Sequence, residues 1–143
     1  MKVLVVNGPN LNLLGRREPA IYGRQSYEEL CDYINQCAAS LGLETEIVQS
    51  NHEGVLVDAI QSAPGNADAI LINAAAYTHT SVAILDALRA VALPTVEVHL
   101  SEPNEREDFR RVSYAGLACE ARFAGRGFES YRDALAYLRN KFT

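Results

Sequence analysis

Val3-Leu4-Val5-Val6-Asn7-Gly8-Pro9-Asn10-Leu11-Asn12-Leu13-Leu14-Gly15-Arg16-Arg17-Glu18-Pro19-Ala20-Ile21-Tyr22-Gly23 is a short apolar run that empties into a long polar loop. A continuous branched apolar run predicts a strand covered on both faces, and such strands belong to parallel sheets. Four more runs fit the same description, at Glu46–Val48, Ala69–Ile72, Thr95–Val98 and Leu117–Phe123. Helical patterns separate them. Ser26 is a candidate N-cap with Glu29 three residues on, and Tyr27, Leu30, Ile34 and Leu41 keep helical spacing until Gly42. Gly54–Ser62, Ser81–Val91 and Ser130–Phe142 repeat that behaviour, each with an apolar stripe.

Strand–helix alternation predicts an α/β fold with helices on both faces of a five-stranded parallel sheet. The leading expectation is a flavodoxin-like three-layer sandwich with its site at the carboxyl ends of the strands. The 143 residues, 48% of them hydrophobic, suit one domain spanning 1–143. Eighteen acidic against thirteen basic residues leave a net charge of -5, which argues against nucleic acid as partner. No apolar stretch approaches the ~20 residues of a membrane span, and Met1-Lys2 leads directly into the first strand; a cytoplasmic location is expected. Cys31, Cys37 and Cys119 form no CxxC pair and read as buried reduced thiols.

Polar residues gather just past the strand ends. The first strand supplies Asn7, Asn10, Arg17 and Tyr22; the third supplies Asn73 and then Thr78-His79-Thr80-Ser81; the fourth supplies Glu97, His99 and Ser101. Arg106 and Arg110 share one face if 106–111 is helical. Such a crevice suits a small, hydroxylated, anionic molecule. Each feature also has a plainer reading: Asn7-Gly8 as a turn, Arg16-Arg17 as a solvated pair, His52 as a surface residue, and Tyr27, Tyr33, Tyr131 and Tyr137 as helix-face packing.

Several chemistries are disfavoured by residue type. Neither GxxxxGK[ST] nor GxGxxG follows the first strand, and there is no HExxH, CxxC or GxSxG; no metal or cofactor is implied. The two lysines, Lys2 and Lys141, lie away from the crevice, so Schiff-base chemistry is not expected. Acid–base work by Tyr22 and His99 remains. A phenol titrates far above neutrality unless guanidinium charge favours phenolate, and Arg17 is placed to supply it. An imidazole delivers a proton readily near neutral pH, and Glu97, two residues away on an extended strand, points the same way as His99. That arrangement suits elimination of water from a β-hydroxy carbonyl compound through an enolate, with Asn10 or a water it holds near the enolate oxygen.

These segments together resemble type II 3-dehydroquinate dehydratase. NGPNLNLLGRREPAIYG at 7–23, SNHEG at 50–54, INAAAYTHTS at 72–81, EVHLS at 97–101 and REDFRR at 106–111 match its signatures in order and at compatible spacing. The resemblance implies the flavodoxin-like fold, no cofactor, and reversible dehydration of 3-dehydroquinate to 3-dehydroshikimate in aromatic biosynthesis or quinate breakdown. It makes Tyr22 the base at C2, His99 the acid at the C1 hydroxyl, and Arg17 the stabiliser of the tyrosinate and the transition state. It gives Asn10 the water facing the enolate, Asn73, His79 and Arg110 the ring hydroxyls, and the backbone of Leu100 and Ser101 the carboxylate. Asp86 matches a residue that serves a neighbouring subunit's site, which implies trimers, four of them forming a dodecamer.

The sequence departs from the family at two places. Ala74-Ala75-Ala76 replaces a stretch that commonly holds glycine, and Glu102 stands where Asn is usual, adding negative charge near the carboxylate site. The competing expectation is a flavodoxin-like ligand-binding or regulatory module without catalysis.

Overall fold

A computed structural model describes residues 1–16, 18–22 and 24–142, with the Tyr22 side chain outside the description. Arg17 lies outside the described residues, and so does the expectation that the Tyr22 phenol faces the cleft. Five parallel strands form one sheet: β1 (Lys2–Asn7), β2 (Glu44–Gln49), β3 (Ala69–Asn73), β4 (Thr95–His99) and β5 (Ala121–Ala124). Their order is β2-β1-β3-β4-β5, the flavodoxin-like arrangement. The helices are α1 (Pro19–Tyr22), α2 (Tyr27–Ser40), α3 (Glu53–Gln61), α4 (Val82–Val91) and α5 (Phe128–Lys141).

The layers follow from the two-residue period of a strand. Val3 and Val5 of β1, Leu71 of β3, and Val96 and Val98 of β4 pack against Leu30 and Ile34 of α2 and Tyr131, Leu135 and Leu138 of α5. The alternate residues, Leu4, Val6, Ile70 and Ile72, face Leu56 and Ile60 of α3 and Ile84 and Leu88 of α4. A sheet apolar on both faces requires a helix layer on each. Fully burying each of these aliphatic side chains contributes about 1.5–3 kcal/mol.

Local signals set the helix ends. Ser26 Oγ accepts the Glu29 N–H at 3.1 Å while Glu29 Oε1 accepts the Ser26 N–H at 3.4 Å, closing a capping box on α2. Ser81 Oγ caps α4 through the Ile84 N–H at 2.9 Å.

Three expectations need correction. Leu117 does not begin the fifth strand; it lies in a 3-10 turn, Ala115–Ala118, and is 65% exposed. The Gly116 N–H bonds to Ser113 Oγ there, and ladder pairing with β4 starts only at Ala121. The last helix begins at Phe128, because Phe128 is buried against the core and Gly127 adopts φ 59 just before it. The three thiols are half-buried rather than buried; none is in a disulfide, and burial pushes the Cys119 thiol up to about 12. Among the described residues no helix is long and apolar enough to cross a membrane.

Candidate active site

Strand order reverses between β1 and β3, so a crevice opens at their carboxyl ends. Asn7 and Asn73 end these strands as register partners. One buried phenol joins them: Tyr131 OH donates to Asn7 Oδ1 at 2.7 Å and accepts from Asn73 Nδ2 at 2.9 Å. Asn73 Oδ1 accepts the Ala75 N–H at 3.1 Å, and Asn7 Nδ2 donates to Tyr27 OH at 3.3 Å. Tyr131 is therefore a polar hub below the site as well as a packing residue. Burial pushes both the Tyr131 and the Tyr27 phenol up, which keeps them protonated.

Glycine is required where the chain leaves β1. Gly8 donates its N–H to the Asn73 carbonyl at 2.8 Å, and a Cβ there would stand 2.3 Å from the Ala74 carbonyl oxygen. Two residues on, Asn10 adopts φ 68, a left-handed conformation that asparagine tolerates, and its N–H donates to Asn51 Oδ1 at 2.9 Å. Ala75 also takes a left-handed φ of 52, within the Ala74-Ala75-Ala76 stretch.

The cleft is compact, with a cavity volume of about 160 Å³. Asn10, Asn73, His79, His99, Leu100, Ser101 and Arg110 all line it, so seven of the expected site residues come together. Arg106 lines it too. Arg106 and Arg110 reach the cleft without sharing a helix: Arg106 is extended after the 3-10 turn Pro103–Glu105, and Arg110 belongs to a separate turn, Asp108–Arg111. Asp86 is exposed on α4 and does not line the cleft.

His79 and His99 are held differently. His79 Nδ1 donates to the Val112 carbonyl at 2.6 Å. Burial, then the nearby positive groups, hold that imidazole below its ordinary titration range, so at neutral pH its Nε2 is a lone-pair acceptor. His99 is 6% exposed and Glu97 3% exposed; His99 Nε2 donates to Glu97 Oε2 at 2.7 Å, leaving Nδ1 as the ring nitrogen available to the cleft. Burial alone would raise the Glu97 carboxyl. The hydrogen bond and charge of His99, the Ser113 hydroxyl and Arg122 outweigh it and hold the carboxyl below its ordinary value.

The Glu102 departure is compensated within the fold. Arg122, in register opposite Glu97 on β5, places Nη2 2.8 Å from Glu102 Oε1 and Nε 3.9 Å from Glu97 Oε1. The Arg122 hydrogen bond is the main reason the Glu102 carboxyl is held below its ordinary value. The extra negative charge beside Ser101 is thus met by a cation 20 residues away. Sequence reading missed Arg122, Ser113 and Tyr131 as site supports, since none lies in a recognisable motif.

The family model described as Dehydroquinase class II matches residues 1–139. The chain belongs to this family. It is 54% identical over 140 residues to a 3-dehydroquinate dehydratase of Geotalea daltonii, covering 98% of this chain and 97% of the relative. A 3-dehydroquinate dehydratase of Corynebacterium glutamicum is 51% identical over 139 residues, covering 97% and 96%. The crystal structure of type II dehydroquinase from Butyrivibrio crossotus superposes with a TM-score of 0.94 at 48% identity, covering 96% of this dehydroquinase and 97% of that chain.

Proposed function

We propose that this class II dehydroquinase is a 3-dehydroquinate dehydratase of the shikimate pathway, a hydro-lyase that converts 3-dehydroquinate to 3-dehydroshikimate. One observation carries the reading: in a chain of this family, a buried Glu97 carboxylate holds His99 at the wall of a cleft that Asn10, Asn73, His79 and Arg110 also line.

In the proposed reaction the Tyr22 phenolate, stabilised by Arg17, takes the proton from C2 and leaves an enolate. A water held by Asn10 faces the enolate oxygen. His99 gives a proton to the C1 hydroxyl, which departs as water while the C1–C2 double bond forms. The Glu97 carboxylate, 2.7 Å from Nε2, offsets the positive charge the ring carries before that transfer. Neutral His79, through Nε2, accepts a hydrogen bond from a ring hydroxyl, and Asn73 and Arg110 bind the others. Backbone groups of Leu100 and Ser101 take the carboxylate, with Glu102 neutralised by Arg122.

Residues 1–143 are proposed to act as one cytoplasmic catalytic unit that needs no cofactor. Asp86, exposed on α4, serves a neighbouring subunit's cleft in a trimer, four of which build a dodecamer; light scattering after size exclusion tests that mass. Turnover separates this reading from the binding module. Adding 3-dehydroquinate should produce the ultraviolet absorbance of a conjugated enone; a folded protein that gives none refutes the enzyme. Tyr22→Phe should abolish turnover while substrate still binds, and His99→Ala should lose most of the rate. A near wild-type rate in the latter removes the acid role from His99.

A further inference from the structure

Behind the Glu97–His99 pair stands a serine that the proposed chemistry leaves unused. Ser113 Oγ accepts the Gly116 N–H at 2.9 Å and donates its own hydrogen to Glu97 Oε2 at 2.5 Å. A hydroxyl has one hydrogen, and an amide already occupies the acceptor side of this one. Its hydrogen therefore has one direction, toward the carboxylate that also receives His99 Nε2.

Gly116 makes this possible by close approach. A Cβ at 116 would stand 2.7 Å from Glu97 Oε1 and 2.7 Å from Ser113 Oγ, so the backbone comes against both groups only because the side chain is missing. The other neighbours of Glu97 do not do the same work. Arg122 is 3.9 Å from Oε1 and spends its close contact on Glu102 at 2.8 Å. The terminal torsion of a glutamate is soft, and one hydrogen bond to a histidine does not fix the carboxylate plane. A second, rigid donor does.

We infer that Ser113 is a positioning residue: its locked hydroxyl holds the Glu97 carboxylate so that Oε2 faces His99, and through it fixes the imidazole with Nδ1 toward the substrate. Small displacements of an acid from its reacting atom are costly in rate, which is what such a support prevents. Ser113 does not line the substrate cleft; it lines an adjoining cavity that shares His79, His99, Pro103 and Arg110 with the cleft, and its hydroxyl bonds to Glu97 and Gly116, neither of which lines the cleft. Its removal therefore acts on kcat rather than on binding. The inference rests on the Glu97–His99 pair as the acid assembly.

Steady-state kinetics of five variants test it. Ser113→Ala should lower kcat about 10- to 100-fold, the range for losing a hydrogen bond to a charged group, with KM within about twofold. Ser113→Thr, which keeps the hydroxyl, should recover to within about threefold of wild type. In a Glu97→Gln background Ser113→Ala should cost less than about twofold more, because the serine acts only through that carboxylate. If Ser113→Ala melts below the assay temperature, Ser113→Cys keeps the size with a weak donor and should show the same loss. Ser113→Ala within about threefold of wild type beside an impaired Glu97→Gln overturns the serine's role alone, and so does an equal loss in both backgrounds. Full activity of Glu97→Gln overturns the acid assembly itself, and the inference with it.

Discussion

Replacing Tyr131 with Phe removes a single oxygen from beneath the cleft and separates the two strand ends it ties together. Tyr131 is fully buried, as are the groups it bonds, Asn7 Oδ1 at 2.7 Å and Asn73 Nδ2 at 2.9 Å. The phenylalanine ring fills the same space, so no cavity forms and the effect is that of two orphaned polar groups. Each costs about 1–3 kcal/mol; relief from burying the phenol oxygen offsets part, and a net loss of about 2–4 kcal/mol is expected. At about 2.1 cal/mol/K per residue the chain unfolds with an entropy near 300 cal/mol/K, so the melting temperature should fall by about 7–13 °C. Circular dichroism melts of both proteins at one protein concentration measure it, since assembly makes melting concentration-dependent. Because Asn73 lines the cleft and loses its anchor, KM should rise in the folded variant. A melting shift below about 2 °C with unchanged KM would show that the Asn7–Tyr131–Asn73 bridge contributes nothing.

Three further outcomes follow from particular residues. Ala75→Gly relieves a left-handed backbone, which costs a non-glycine residue about 1–2 kcal/mol, and should raise the melting temperature by a few degrees; a fall would mean that the Ala75 methyl, which packs on the core, outweighs the strain. Arg122→Met should raise KM about fivefold, the factor for ~1 kcal/mol of repulsion from an unmasked Glu102, while Glu102→Gln leaves KM within about twofold. A fivefold lower KM in Glu102→Gln would instead show that this carboxylate repels substrate despite its partner. Glu97 is held below its ordinary carboxyl value of 4.5, so its ionised form adds stability that is fully present above that pH and lost as pH falls through the depressed native value. Urea titrations between about pH 3 and 6 should show a flatter acid limb for Glu97→Gln, and superimposable limbs for the two proteins would contradict it.

Much of the fold was legible from residue order because local physics decides it. Val3–Val6, Ala69–Ile72 and Thr95–Val98 are apolar enough to be buried on both faces, and all three lie in central strands. Ser26 and Ser81 cap the helices their spacing announced. The apolar run after Leu117 misled because a hydrogen bond from the Gly116 N–H to Ser113 Oγ turns the chain before the ladder begins, and 106–111 misled because Arg106 is extended after one 3-10 turn while Arg110 belongs to the next.

The sequence by itself determined the alternation, the sheet's double burial and the kinds of group that stand at the strand ends, because these depend on neighbours a few residues apart. It also carried the five motifs that mark the family. Tertiary structure alone decided that Tyr131 joins Asn7 across 124 residues and Asn73 across 58, that Ser113 aims at Glu97, and that Arg122 answers Glu102. Those contacts depend on strand register and on where α5 and the loops after β4 come to rest. No local period encodes them, because each hydrogen bond is chosen by what the packed fold brings within about 3 Å.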